Sequence, residues 1–176
     1  MIIPIPWSGL AISIITFPGV IVHEFAHKLL CQATNTRIRR VCYFRFGNPV
    51  GFVEHDVPTN IWKHILIACG PLFVNTTLGF LIGRLTLLVN TYSNFGMGLF
   101  VFISWLAVSV AMHAFPSIGD ALGIWNELWK KPAPVISRMA GTPIAILIGI
   151  GAMGSVIWLD LFYGLCVVFM FPKFFY

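Results

Sequence analysis

His23, Glu24 and His27 stand in the run FPGVIVHEFAHKLLCQ with the spacing His-Glu-x-x-His. On a helix, side chains four apart share a face, so the two imidazoles converge on one point. Two neutral imidazoles meeting there suit a zinc ion, and Glu24, one position on, reaches water beside that ion. A solvated His/Glu face would carry the same pattern without any chemistry. Here the flanks are Ile, Val, Phe and Leu, so no solvated face is on offer. Ionisable residues at the end of such a run cost about 2.5–3.5 kcal/mol each on membrane-insertion scales, which asks for a functional reason.

The elements that must position this motif are membrane spans. Of 176 residues, 58% are hydrophobic and only 10% charged, well below the charge content of soluble domains. The chain therefore reads as one domain, an all-α polytopic membrane protein. Four apolar runs are expected to cross the bilayer, at residues 7–30, 61–89, 95–115 and 142–171. Pro4 and Pro6 keep the start extended, Trp7 fits an interfacial anchor, and Pro18 is placed to kink the first span just before the motif. No Lys or Arg precedes Lys28, so the first run lacks the basic region of a cleavable signal and is expected to stay.

Between the first two spans, residues 40–55 read as a short β-hairpin, with strands over 41–46 and 50–55 about a Gly-Asn-Pro turn. Its aromatic residues place it at or dipping into the interface, with Glu54 and His55 as ordinary polar loop-end residues. Gly70-Pro71 interrupts the second span and frees backbone groups that a neighbour must satisfy, while Asn75 needs a partner in lipid. ALGIWNELWKK is expected to form a short amphipathic helix. Asp160 falls near the far interface or at a division of the last run into two pieces. The four cysteines lack ligand spacing, and Cys69 and Cys166 suit small apolar packing sites. The net charge of +5 sits mostly between the runs, as a topology signal rather than a nucleic-acid surface. The basic links at 34–59 and around Lys130, Lys131 and Arg138 are expected on the cytoplasmic side, with both chain ends outside.

A catalytic zinc site takes three protein ligands and leaves a fourth position open. Runs one and three cross in the same direction, so the end of run three lies on the same side as the motif. There Pro116-Ser117-Ile118-Gly119-Asp120 breaks the helix and lets a carboxylate turn inward. Asp120 is the expected third ligand, and His113, at the end of the same run, competes with it or packs nearby. Glu54 and Asp56 fall in a loop, Glu127 on the amphipathic helix, and Asp160 on the wrong side or too far along. Zn²⁺, one aspartate and one hydroxide sum to zero, so a loaded site avoids an uncompensated buried charge.

Taken together, these pieces resemble the site-2 protease family of intramembrane zinc metalloproteases. HEFAH in the first span, Gly70-Pro71 with Asn75 in the second, and a Pro-containing turn ending in Asp120 match in order and spacing over residues 17–122. The chain departs from the family's usual Asn-Pro before a Leu-Asp-Gly turn, reading His-Ala-Phe-Pro-Ser-Ile-Gly-Asp-Ala instead. It also carries no peptide-binding or sensor domain within these residues. The resemblance implies that His23, His27 and Asp120 hold zinc and that Glu24 is the general base. It further implies that Asn75 helps to hold substrate backbone or oxyanion, and that the hairpin offers a strand edge to an unwound, membrane-anchored protein substrate. The implied setting is the cell membrane, with the site toward the cytoplasm; nucleic acid is not an expected partner. Two other functions suit the same residues: a zinc-dependent membrane peptidase acting on non-anchored peptides, and a non-catalytic scaffold that has kept the metal motif.

Overall fold

Proline decides where this helical chain bends, because its ring removes one N–H and crowds the preceding turn. A computed structural model describes residues 7–58, 60–129 and 134–175. The extended start expected of Pro4 and Pro6, and the Lys130/Lys131 pair, lie outside the described residues. Eight α-helices follow in chain order: α1 (Trp7–Ile15), α2 (Phe17–Ala33), α3 (Ile61–Ala68), α4 (Gly70–Leu85), α5 (Asn94–Met112), α6 (Ile118–Trp129), α7 (Val135–Met153) and α8 (Leu159–Leu165). Strands β1 (Ile38–Cys42) and β2 (Phe52–His55) pair antiparallel between α2 and α3.

Three helical courses are long and apolar enough to cross a membrane: Ile61–Leu88, Asn94–Met112 and Val135–Ile157. A fourth is formed if α1 and α2 count as one span, although they meet at 88°. Pro18 lies in the first turn of α2, and the carbonyls at the bend just before it accept hydrogen bonds from α5. Trp105 Nε1 donates to the Ile15 carbonyl at 3.2 Å, and the Ser109 hydroxyl donates to Thr16 O at 2.9 Å. A Cβ on Gly19 would overlap the Ser109 carbonyl oxygen, so only glycine lets α2 come this close to α5.

Alongside α4, α5 runs with Ala111 against Gly79. After the break at Phe115–Pro116, α6 continues beside α3, where Ile65, Ala68, Ala121, Ile124 and Leu128 share one apolar cluster. Helix α7 returns along α6, with Gly141 at Leu128 and Gly151 at Phe115. The last apolar run does not continue as one span over 142–171. It divides at Gly154–Ile157 and Trp158, whose φ of 61° is left-handed and ends the helix. The chain then passes α4 again, with Val168 seated on Gly83. Helix α8 thus begins beside the end of α5, where Tyr163 stacks on Phe115 at 5.0 Å. Asp160 accordingly lies just past the division of the last run, the second of its two expected places, and not at a far interface; its Oδ1 accepts the Leu161 N–H.

The hairpin is present with shifted bounds. β1 starts at Ile38 and stops at Cys42, so residues 43–46 are not strand; register runs from Ile38 opposite His55 to Cys42 opposite Phe52. The connection over 43–51 lies along α2 and closes about the Gly-Asn-Pro turn, where Arg45 N–H donates to Val50 O at 2.7 Å. Phe44 packs on Phe17 at 5.8 Å, and Lys28 Nζ donates to the Tyr43 hydroxyl at 3.0 Å.

Candidate metal centre

The buried stripe of α2 contains Val20, Glu24, His27 and Cys31, four positions on one helical face. In a helix flanked by apolar residues this puts the polar motif inward, against α3, α4 and α5. Both histidines are held by backbone acceptors that helix breaks have released. Pro71 has no N–H to give to the carbonyl four residues back, that of Ile67. His27 Nδ1 donates to that Ile67 oxygen at 3.0 Å. Helix α5 ends at Met112, and the carbonyl of its C-cap residue His113 accepts from His23 Nδ1 at 2.8 Å.

A carbonyl can only accept, so each ring carries its proton on Nδ1 and keeps a lone pair on Nε2. The two Nε2 atoms face each other at 3.1 Å. Two neutral lone pairs at that distance repel, and a cation between them converts the repulsion into coordination. Asp120 Oδ2 lies 3.7 Å from His27 Nε2, and the donor atoms of His23, His27 and Asp120 all fall within 4.8 Å of one another. Tetrahedral ligands about 2.0–2.1 Å from zinc stand about 3.3 Å apart, so the observed separations bracket what a bound ion requires. The residues present fit a divalent cation.

Asp120 sits in the first turn of α6, where the sequence placed it in a turn before the helix. Ser117 and Asp120 form a reciprocal cap: Ser117 N–H and Oγ–H donate to Asp120 Oδ2 at 2.7 and 2.6 Å, and Asp120 N–H donates to Ser117 Oγ at 3.2 Å. The carboxylate is thereby fixed before any ion arrives, and the helix N-terminus favours its negative charge. Since α3 rises about 1.5 Å per residue, Ile67 lies about 9 Å along its apolar course from the Ile61 end.

Glu24 is buried beside the triad under the strand connection. A Cβ on Gly51 would come within 2.7 Å of Glu24 Cγ and 3.0 Å of its Oε1, so Gly51 is the point where the connection closes over the carboxylate. Asn75 is fully buried away from the triad: its Nδ2 donates to Gly19 O at 3.2 Å and Val110 O at 3.1 Å, tying α4 to α2 and α5. Both amide hydrogens are committed, and Oδ1 has no partner among the described residues. His113 contributes its carbonyl and not its imidazole, whose Nδ1 donates to Ser109 O at 2.9 Å. His55 and Glu54 stay on β2, outside the donor triad.

Two features of the centre escaped sequence reasoning. The orienting carbonyls of Ile67 and His113 were signalled only indirectly, Ile67 by Pro71 four residues later. The Ser-x-x-Asp cap was visible as a motif within a segment read simply as a break. Compared with protein-family models, with curated proteins and with solved structures, the chain matches none.

Proposed function

We propose that this chain is an intramembrane zinc metalloprotease that hydrolyses peptide bonds of membrane-anchored proteins. The observation that carries the reading is the meeting of His23 and His27 Nε2 with the Asp120 carboxylate, beside Glu24 and inside an apolar bundle. Zinc bound by these three side chains would lower the pKa of a water to about 7 and polarise a substrate carbonyl. Glu24 takes a proton from the attacking water on its carboxylate and delivers it to the leaving amine nitrogen. Asp120 balances charge, and the Ile67 and His113 carbonyls keep both imidazoles in the tautomer that offers Nε2.

A helical substrate hides its carbonyls and must unwind before water can attack. The two-stranded sheet leaves one edge of β1 and one of β2 free to hold an extended segment. The breaks at Pro18, Pro71 and Pro116 supply non-helical backbone, which inside a membrane is tolerated where it lines a cavity or is packed in protein. We place the basic hairpin and the site toward the cytoplasm of a cell membrane, following the Lys/Arg bias.

The test is Glu24→Gln, assayed on a membrane-anchored substrate and on a short unanchored peptide, with metal content measured in parallel. The expected result is loss of cleavage with metal retained. Wild-type rates in the variant would overturn the mechanism, and a wild-type protein that binds metal but cleaves neither substrate would instead be a scaffold that has kept the motif. Equal wild-type rates on the two substrates would make the protein a membrane peptidase with no need for an anchor.

A further inference from the structure

A second pair of ionisable groups is buried away from the triad. His64 Nδ1 donates to Glu127 Oε2 at 2.5 Å, with side chains only 11% and 13% exposed. Such a pair contributes little net stability, because desolvation offsets the attraction and an apolar pair of similar volume would serve as well. Its place in the fold is more telling. Glu127 follows Asp120 by seven residues, two turns on along the same face of α6. His64 precedes Ile67 by three residues, one turn from the carbonyl that holds His27. The pair therefore joins the two helices that complete the metal centre from outside the His-Glu-x-x-His motif.

The surroundings leave this pair little freedom. Gly123 lies on α6 between Asp120 and Glu127, and a Cβ there would meet His64 Cε1 and Nε2 at 3.2 Å, so the ring fills a notch that glycine leaves. From β2, His55 closes the other side edge-on, with ring centroids 5.9 Å apart and planes at 88°. The apolar contacts between α3 and α6 are made by Ile65, Ala68, Ala121, Ile124 and Leu128, aliphatic groups that form no directional bond. A slip of one residue along α6 moves Asp120 by about 1.5 Å, enough to take its oxygen out of a coordination shell of about 2.0–2.2 Å.

We infer that His64 and Glu127 are positioning residues that lock α6 in axial register against α3 and so set the distance from Asp120 to His27. The inference rests on the reading of His23, His27 and Asp120 as a metal site. In it the hydrogen-bond acceptor at position 127 matters more than the charge.

The experiment titrates the metal-free protein in detergent with Co²⁺, reading affinity and the visible ligand-field bands, for Glu127→Gln and Glu127→Leu. Each is repeated in an Asp120→Ala background. Glu127→Gln keeps an acceptor for His64 and is expected to bind within about threefold of wild type, whereas Glu127→Leu loses about 10–100-fold and alters the bands. In the Asp120→Ala background Glu127→Leu should cost no more than about twofold further, since the ligand it positions is gone. Wild-type affinity in Glu127→Leu, or the same loss with and without Asp120, would overturn the inference. Should Glu127→Leu fail to fold, His64→Phe is read in the same way. A wild-type protein that binds no Co²⁺, or one whose affinity survives His23→Ala, would instead overturn the metal site itself, and this inference with it.

Discussion

Replacing Pro71 by alanine separates the geometry of the metal centre from the stability of the helices around it. Pro71 is fully buried, and its ring stands where an N–H would otherwise close the helical bond to the Ile67 carbonyl. Alanine supplies that N–H, which then competes with His27 Nδ1, now 3.0 Å from the same oxygen. Two ring methylenes are lost, at about 0.8 kcal/mol each. One helical hydrogen bond is gained, with a net value of about 0.5–1.5 kcal/mol. The two nearly cancel, so the unfolding temperature of the metal-free Pro71→Ala protein should stay close to wild type. The imidazole loses its fixed orientation, and removal of such a partner costs about 10–100-fold in metal affinity, or about 1.4–2.8 kcal/mol. Co²⁺ titration beside thermal unfolding in the same detergent measures both. Unchanged affinity would refute the role assigned to the Ile67 carbonyl. So would a loss of affinity that merely follows a large fall in unfolding temperature, since then the helix and not the histidine has been disturbed.

The other variants probe the cover over Glu24 and the interior network. Gly51→Val drives a branched side chain into Glu24 Cγ and Oε1, at 2.7 and 3.0 Å from the Cβ position. Displacing a reacting group by an ångström can cost 10²-fold, so peptide hydrolysis should fall by at least about tenfold while Co²⁺ affinity stays within about twofold. Equal losses in both would place Gly51 in the fold rather than over the base. Asn75→Leu keeps the volume but deletes the bonds to the Gly19 and Val110 carbonyls, at about 0.5–1.5 kcal/mol net for each. A clear fall in unfolding temperature is expected, and an unchanged one would show that these two bonds do not hold α2 and α5 to α4.

Much of this was legible because membranes leave few choices to a sequence. Apolar runs at residues 61–89 and 95–115 became Ile61–Leu88 and Asn94–Met112, since only helices satisfy their own backbone in lipid. The four-residue spacing of His23 and His27, and the parity that put Asp120 on their side, led to atoms that meet in space. Hairpin bounds were less legible. Tyr43 and Phe44 look like strand residues, but their packing on Lys28 and Phe17 outweighs their β-propensity. The division of the last run was half legible, because Asp160 marked a place where it could split but nothing local marks Trp158 as a left-handed residue. Nor could spacing reveal His64 with Glu127, which are 63 residues apart and become neighbours only when α6 lies back along α3.

Three helix breaks share one logic here. Inside a bilayer a carbonyl without a donor costs several kcal/mol, so every helix break must come with a partner for the oxygen it releases. At the bend between α1 and α2, Trp105 and Ser109 on α5 donate to the Ile15 and Thr16 carbonyls, which fixes where α2 begins. At Pro71 and at the C-cap of α5 the partners are the two histidines of the motif. Each break and each ligand solves the other's difficulty: the ring N–H satisfies the freed carbonyl, and the carbonyl chooses the tautomer that leaves Nε2 bare. What remains unbalanced is two lone pairs 3.1 Å apart beside a carboxylate. That remainder is a demand for positive charge, and it is why the centre reads as a place for a metal ion rather than as a polar packing defect.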